Sequence, residues 1–342
     1  KAEAQRGAIV TTEIEMLMEM CPCKMIGVTG SDGKTTTTSL INHILEKAGY
    51  NTFLGGNIGT PLFTKLPEMT PEDIVVLELS SFQLMNMQVS PQIAVMTNVT
   101  PNHLNIHKDY DEYIEAKKCI FKNQNEDDIL ILNYDNEYLR NYSYNGTSYL
   151  ISYGKNADFS YRVLEDYVNI YAYNEFVFKF KNNGYDEIDI SNMMPGIILG
   201  VLYKIDYNQL IFRLENIKRP ASRQRILEIG NSIIIDDSFN SNLKGALKAL
   251  EQLKHYNKKK IIITPGFVEC KKLLPNLYLK YAKRINEICD YAYIVKLSTS
   301  KILYDLIEIN HSYVRSVDEA RLMLSFNNEA VLIENDVPDI YL

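Results

Sequence analysis

The sequence has no tryptophan, little cysteine and no long apolar run. Its five cysteines are an odd number with no C-x-x-C pair and no zinc-finger spacing, so we interpret them as reduced thiols of a cytoplasmic protein. The longest apolar run, Gly196–Tyr203, is far shorter than the roughly 20 residues that cross a bilayer, so we predict no membrane insertion. Lys and Arg number 36 against 43 Asp and Glu, and this net charge of −7 argues against a nucleic-acid partner.

Hydrophobic residues make up 46% of the chain, which is typical of a globular protein, and 342 residues are enough for two domains. Residues 24–218 begin with apolar runs that alternate with helical patterns. Strands are predicted over 24–29, 74–79 and 93–97, and helices over 35–48 and 109–123. This order predicts an α/β domain built on a parallel sheet.

The pattern changes between residues 145 and 190, where apolar and polar side chains alternate. The alternation predicts an antiparallel excursion attached to the first sheet, and Asn183–Gly184 is typical of a hairpin turn. Two short helices are predicted next, over 194–203 and 207–214.

Residues 215–222 contain Pro220 and several charges, and we interpret them as a linker. The β-α rhythm then returns over 219–342, with strands predicted at 232–235, 260–264, 291–296 and 330–333. The C-terminal part is therefore predicted to be a second, smaller Rossmann-like domain.

Seven residues between the first strand and the first helix form a candidate phosphate loop: Gly30, Ser31, Asp32, Gly33, Lys34, Thr35 and Thr36. Glycine lets the backbone approach a phosphate, and free N–H groups at a helix start bind anions. The Lys34 amine can neutralise phosphate oxygens, and the Thr35 hydroxyl can bind Mg²⁺. The strict P-loop spacing needs Gly where Val28 stands, so we predict a shortened, P-loop-type site for a nucleoside triphosphate.

Two further residues follow predicted strands and are expected at the same edge of the sheet. Glu78 ends the second apolar strand, and His103 follows the third. Ligands collect at the carboxyl ends of parallel strands, where a carboxylate can hold Mg²⁺ and an imidazole can bind a metal or orient a carboxylate. Taken alone, a helix cap and a surface histidine explain these residues as well.

Lys117 falls on the apolar stripe of its helix, together with Tyr113, Ile120 and Phe121. Lys118, one position later, points about 100° away. A lysine on the core-facing stripe either extends its amine to the surface or is a working group near the metal.

Short polar side chains follow the first strand of the second domain, Asp237 among them. They either contact a ligand or cap the next helix. Arg223 lies just after the linker and either reaches a γ-phosphate or is a surface charge.

Five segments together resemble the Mur ligases, the ATP-dependent amide-forming enzymes of cell-wall precursor synthesis. They read GVTGSDGKTTTT (27–38), GGNIGTP (55–61), LELSSFQL (77–84), TNVTPNHL (97–104) and YIEAKKCIF (113–121). Over the first 140 residues the resemblance is greatest to the branch that adds D-glutamate to UDP-N-acetylmuramoyl-L-alanine. DDSFNSN (236–242) and ITPGFVE (263–269) are closer to the branch that adds D-Ala-D-Ala.

The resemblance implies the cofactors ATP and Mg²⁺, with a UDP-muramyl precursor and an amino acid or dipeptide as substrates. It implies an acyl-phosphate intermediate and an ADP-forming ligase. The metal ligands would be Thr35, Glu78, His103 and a carbamylated Lys117; the substrate would contact Asn57, Ser81 and Gln83; the nucleotide would also contact Arg223 and Asp237. Residues 1–23 would be the remnant of an N-terminal UDP-binding domain.

The sequence departs from the family at Asn102 and Asn105, where acids are common on either side of the histidine. No adenine-contacting motif is recognisable near Ser191–Gly200. Three hypotheses therefore follow: a D-glutamate-adding ligase, a D-Ala-D-Ala-adding ligase, or a nucleotide-binding relative that does not ligate.

Overall fold

The computed structural model describes residues 11–85, 87–100, 108–217, 225–238, 243–267 and 274–334. These residues divide into two compact units. The first unit comprises the described residues up to position 100 and from 109 to 217, and the second comprises position 108 and those from 225 onward. None of the helices in these ranges is long and apolar enough to cross a membrane.

The described part of the first unit contains a nine-stranded sheet in the order β2-β3-β1-β4-β5-β6-β7-β8-β9. Neighbouring strands from β2 to β7 are parallel, and β7, β8 and β9 are antiparallel. The strands are β1 (Lys24–Thr29), β2 (Thr52–Gly56), β3 (Ile74–Glu78), β4 (Ile93–Met96), β5 (Ile129–Asn133), β6 (Tyr149–Tyr153), β7 (Phe159–Leu164), β8 (Tyr167–Ala172) and β9 (Glu175–Lys181).

Helices cover both faces of this sheet, because its central strands carry apolar side chains on both faces and each face must be shielded from water. One face packs on α2 and α6, and the other on α1 and α4. The helices are α1 (Glu13–Met20), α2 (Lys34–Lys47), a 3₁₀ helix (Phe63–Glu68), α3 (Ser81–Leu84), α4 (Tyr110–Lys122), α5 (Glu137–Asn141), α6 (Glu187–Leu202) and α7 (Tyr207–Glu215).

The antiparallel excursion is confirmed, but the hairpin predicted at Asn183–Gly184 is wrong. The two-residue turn between β8 and β9 is Tyr173–Asn174, whose φ angles of 50° and 68° suit a type I′ hairpin. Residues 183–184 instead lead into α6. This helix begins at Glu187, seven residues before the predicted start at residue 194. Its start is fixed by Asp186, whose carboxylate accepts from Ile188 N at 2.8 Å and Asp189 N at 2.9 Å.

The second unit contains a six-stranded sheet, counted over its described residues, in the order β10-β11-β15-β12-β13-β14. All neighbours are parallel except β10 and β11. The strands are β10 (Arg225–Ile229), β11 (Ser232–Asp237), β12 (Lys259–Thr264), β13 (Tyr291–Val295), β14 (Asn310–Val314) and β15 (Glu329–Glu334), and the helices are α8 (Leu243–Lys254), α9 (Leu274–Ile288), α10 (Ser300–Leu306) and α11 (Val317–Leu322). The predicted α/β class, with parallel-dominated sheets, is confirmed.

The cap of α6 gives a test of this fold. Asp186→Ala removes the acceptor of two helix N–H groups and should lower the free energy of unfolding by about 1 kcal/mol. Chemical denaturation monitored by circular dichroism measures the change. Asp127→Ala, at an exposed loop position, is the matched control and should cost less than about 0.5 kcal/mol. Equal losses in the two variants would contradict the capping role.

Candidate functional site

The candidate phosphate loop joins β1 to α2 and presents the start of a 14-residue helix. Gly33 is the N-cap residue and has φ 78°, a left-handed conformation that glycine adopts without steric cost. It carries no side chain to cap the helix, so the start of α2 can receive an anion in place of a capping oxygen. Lys34 is half-buried, and its amine donates to the Ser31 carbonyl oxygen at 3.0 Å.

Residues that follow β4 fix the shape of the loop from one side. Asn98 Oδ1 accepts from Asp32 N at 2.8 Å, and Thr97 Oγ1 donates to the Asp32 carbonyl oxygen at 2.6 Å. Ser31 Oγ lies 3.0 Å from the Tyr113 hydroxyl and donates to the Thr100 carbonyl oxygen at 2.9 Å. These bonds leave the loop little freedom, so its geometry is set before any ligand binds.

Asn192 on α6 fixes the loop from the other side and was missed by sequence reasoning. A Cβ added at Gly33 would clash with Asn192 Oδ1, and the Asn192 carbonyl oxygen accepts from Thr37 Oγ1 at 3.2 Å. The one signal in the sequence was its polar side chain directly before the apolar stretch MMPGIILG. Because α6 is 155 residues away along the chain from Thr37, only the fold places it there.

Glu78 is the last residue of β3 and is only 1% exposed. Its Oε1 accepts from Asn57 Nδ2 at 2.9 Å, whereas its Oε2 is buried without a hydrogen-bond partner. A buried carboxylate oxygen without a partner costs several kcal/mol in general, about what loss of an ionic hydrogen bond costs. The side chain can therefore receive a cation or a donor that the described residues do not supply.

Lys117, on the apolar stripe of α4, is also only 1% exposed, so its amine does not extend to the surface. Its amine donates to the Gly30 carbonyl oxygen at 2.8 Å and lies 4.5 Å from the centre of the Tyr113 ring. Burial, and then the Lys34 charge, hold the pKa of Lys117 well below its usual range, against the opposing effect of Asp32 and Glu78. The amine is thus drawn toward its neutral, nucleophilic form beside the phosphate loop.

The three predicted substrate residues occupy different positions. Asn57 and Gln83 line a cavity of about 370 Å³ together with residues of α1. Ser81 is buried at the first position of α3 and is outside the lining of that cavity. Gln83 also closes a capping box with Ser80, which fixes its side chain at the cavity wall.

The remaining predicted residues are spread over the chain. Thr35 and Thr36 are half-buried on the first turn of α2. Asp237 is buried at the end of β11 in the second unit. His103, with Asn102 and Asn105, and Arg223 lie outside the described residues. No three His, Cys, Asp or Glu side chains come together as a ready metal cluster in the ranges that the structure describes.

Comparison with known proteins agrees with this geometry. The model of the Mur ligase middle domain matches residues 28–197, from the strand before the phosphate loop to the middle of α6. Residues 28–197 form a Mur ligase middle domain. The resemblance inferred from the five motifs is thereby confirmed.

Curated proteins similar to this chain include UDP-N-acetylmuramoylalanine–D-glutamate ligases. The one from Clostridium kluyveri is 62% identical over 133 residues, which is 39% of this chain and 29% of that protein. The one from Clostridium acetobutylicum is 48% identical over 189 residues, 55% of this chain and 40% of that protein. The chain thus spans less than half the length of either relative in these alignments.

Solved Mur ligases share the fold over nearly the whole chain. The MurF ligase of Thermotoga maritima, solved in complex with ADP, covers 94% of this chain at TM-score 0.72 and 20% identity, with 78% of its own length covered. MurF from Acinetobacter baumannii covers 93% at TM-score 0.71 and 15% identity, with 74% of its own length covered. At these identities the likeness extends the fold, and only the fold, into the second unit.

The close contact between Gly33 and Asn192 makes it possible to test whether the loop binds nucleotide. Gly33→Ala should weaken binding of a non-hydrolysable ATP analogue by about tenfold or more, or 1.4 kcal/mol, because the methyl group displaces Asn192 and the helix start. Titration calorimetry measures the affinity.

Gly184→Ala is the matched control. Gly184 has φ 80°, against 78° for Gly33, but no atom lies within 4 Å of the position that a Cβ would take there. This variant should lose about 1 kcal/mol of folding stability, because alanine is less favourable than glycine at a left-handed φ, and it should keep its nucleotide affinity. Unchanged affinity in both variants would remove the loop from nucleotide binding.

Proposed function

We propose that this chain carries the catalytic part of an ATP-dependent, ADP-forming ligase that adds D-glutamate to UDP-N-acetylmuramoyl-L-alanine. The observation that carries the proposal is the buried Glu78 carboxylate, which has an unpartnered oxygen close to a phosphate loop and a buried lysine. The identity to D-glutamate ligases supports the choice of branch. The activity for which those relatives are named is transferred to this chain as part of the proposal.

The reaction proceeds in two displacements. A carboxylate oxygen of the muramyl substrate attacks the γ-phosphorus of ATP, and the bond to ADP breaks. The amine nitrogen of D-glutamate then attacks the acyl carbon, phosphate leaves, and the nitrogen loses a proton to give the amide. Catalysis depends on positioning and on neutralising phosphoryl charge, which Lys34 and the N–H groups at the start of α2 are placed to do.

The described residues fit Mg²⁺. Glu78 offers a buried, unpartnered carboxylate oxygen, and Thr35 offers a hydroxyl on the first turn of α2. These are the hard oxygen ligands that Mg²⁺ prefers, and His103 is proposed to complete the set. Bound there, Mg²⁺ would neutralise charge that develops on the transferring phosphoryl group.

Lys117 is proposed to act as a carbamate. A neutral lysine amine adds to carbon dioxide: a C–N bond forms, one proton is released, and a carboxylate results. The depressed pKa of Lys117 favours the neutral amine that this step needs. The carbamate would then be a second buried carboxylate beside Glu78, suited to a second Mg²⁺.

Contacts with the muramyl substrate and with ATP are proposed for residues beyond the phosphate loop. Asn57 and Gln83, at the wall of the 370 Å³ cavity, are proposed to face the muramyl substrate with Ser81. Asp237 and Arg223 are proposed to contact ATP. A cytoplasmic location, where ATP is available and thiols stay reduced, is part of the proposal.

An assay of phosphate release separates the candidate reactions. We expect release that requires ATP, UDP-N-acetylmuramoyl-L-alanine and D-glutamate together. Turnover only with a UDP-muramyl tripeptide and D-Ala-D-Ala would assign the chain to that branch instead, as segment 236–242 resembles. ATP binding that no acceptor and amine convert into phosphate release would make the chain a nucleotide-binding relative.

Lys117→Ala should reduce phosphate release about 100-fold, the usual loss when one group that stabilises developing charge is removed. A short carboxylate such as formate should restore part of this activity, because it supplies the missing anion in the space left by the side chain. Carbon-13 NMR of the wild-type protein in labelled bicarbonate should show a carbamate signal that the variant lacks.

Lys118→Ala is the matched control on the same helix, since the Lys118 amine pairs with Glu115 at 2.7 Å instead of the loop. It should keep both the activity and the carbamate signal. If Lys117→Ala loses activity without chemical rescue, and the wild type shows no carbamate, the lysine only supports the loop through Gly30.

A further inference from the structure

A second buried carboxylate lies in the other unit, at the carboxyl edge of its sheet. Glu334 is the last residue of β15 and is 0% exposed. Asp237, 2% exposed, is the last residue of β11, and Thr264, also buried, is the last residue of β12. Because β15 lies between β11 and β12, the three residues end neighbouring parallel strands at the same edge of the sheet.

The hydrogen bonds of Glu334 all go to one of its oxygens. Oε2 accepts from Thr264 Oγ1 at 2.7 Å and from the Tyr281 hydroxyl at 2.8 Å. Thr264 Oγ1 also accepts from Gly266 N at 3.0 Å. Oε1 is buried and has no hydrogen-bond partner in the part of the chain that the structure describes.

Protonation does not remove this deficit. A proton on Oε1 has no acceptor among the described residues, and a proton on Oε2 leaves Oε1 as a carbonyl oxygen without a donor. An ionised carboxyl group would instead leave the Oε1 lone pairs unmatched. Either state leaves one buried polar atom unsatisfied, a rare and costly condition in proteins.

Asp237 adds a second buried acid beside Glu334. The two residues are register partners in parallel strands, so their side chains lie on the same face, about 5 Å apart at the backbone. A divalent cation bound by both carboxylates would offset part of the cost of burying them.

From this arrangement we infer that Asp237, Glu334 and the hydroxyl of Thr264 form a binding site for a divalent metal cation in the second unit. Carboxylate and hydroxyl oxygens are hard ligands, which suit Mg²⁺ or Mn²⁺. The unpartnered Glu334 Oε1 supplies the open ligand position. All three of its ligands belong to the second unit, whereas Glu78 belongs to the first.

Counting bound Mn²⁺ by electron paramagnetic resonance, on the whole chain without nucleotide, tests this site. Glu334→Gln keeps the size of the side chain and its acceptor oxygen for Thr264 and Tyr281, and should bind one Mn²⁺ fewer than the wild type. Glu329→Gln is the matched control: Glu329 is buried at the opposite end of the same strand, and its Oε2 accepts from Phe326 N at 2.9 Å. It should leave the number of bound ions unchanged.

The same count distinguishes this site from the metal site of the proposed function. Glu78→Gln should remove one ion, and Glu78→Gln with Glu334→Gln should remove two. Loss of an ion in Glu334→Gln alone, with Glu78→Gln like the wild type, would uphold the second-unit site while contradicting the first. Asp237→Asn should weaken the second-unit site about tenfold, and it decides the matter if Glu334→Gln does not fold.

An unchanged count of bound Mn²⁺ in Glu334→Gln and in Asp237→Asn would overturn the inference and leave Glu334 as a protonated acid. Thermal stabilisation of the wild type by ammonium chloride or by D-glutamate, absent in Glu334→Gln and not reproduced by Mn²⁺, would also overturn it. The ligand would then be an ammonium group and not a metal ion.

Discussion

The buried charge at the carboxyl edge of each parallel sheet is the constraint on which the candidate chemistry depends. Parallel strands end at one edge, so any acid that terminates a central strand is held away from water by its neighbours. In the first unit that acid is Glu78, with one oxygen held by Asn57 and the other open. Asn57 offsets part of the cost of its burial, and a cation bound at the open oxygen would offset more, which couples ligand binding to the stability of the site.

Rigidity of the phosphate loop follows from packing on both of its sides. Asp32 is held by Asn98 and Thr97, while Gly33 touches Asn192 so closely that no side chain fits. The loop therefore needs little reorganisation to receive a phosphate, and its N–H groups are oriented in advance. A flexible glycine turn of the same composition would lose part of its binding free energy to ordering.

Local patterns predicted the parts of this site that depend on local chemistry. The position of Lys117 on an apolar stripe indicated its burial, because helical periodicity fixes the face that a side chain occupies. Asn183–Gly184 misled for the opposite reason: a turn-forming pair is compatible with several connections, and the cap at Asp186 decided for a helix. Asn192 could not be predicted, since its contact with the loop depends on how α6 packs on α2.

Glu334 shows why a strand-ending acid is ambiguous in sequence and informative in structure. In the sequence it is one glutamate after an apolar run, as Glu78 is, and a solvated position explains both. In the structure Thr264 and Tyr281 both direct their protons to one oxygen of Glu334, and that choice leaves the other oxygen in need of a partner. Burial alone would permit a neutral acid, but two donors on a single oxygen, with Asp237 one strand away, favour a cation.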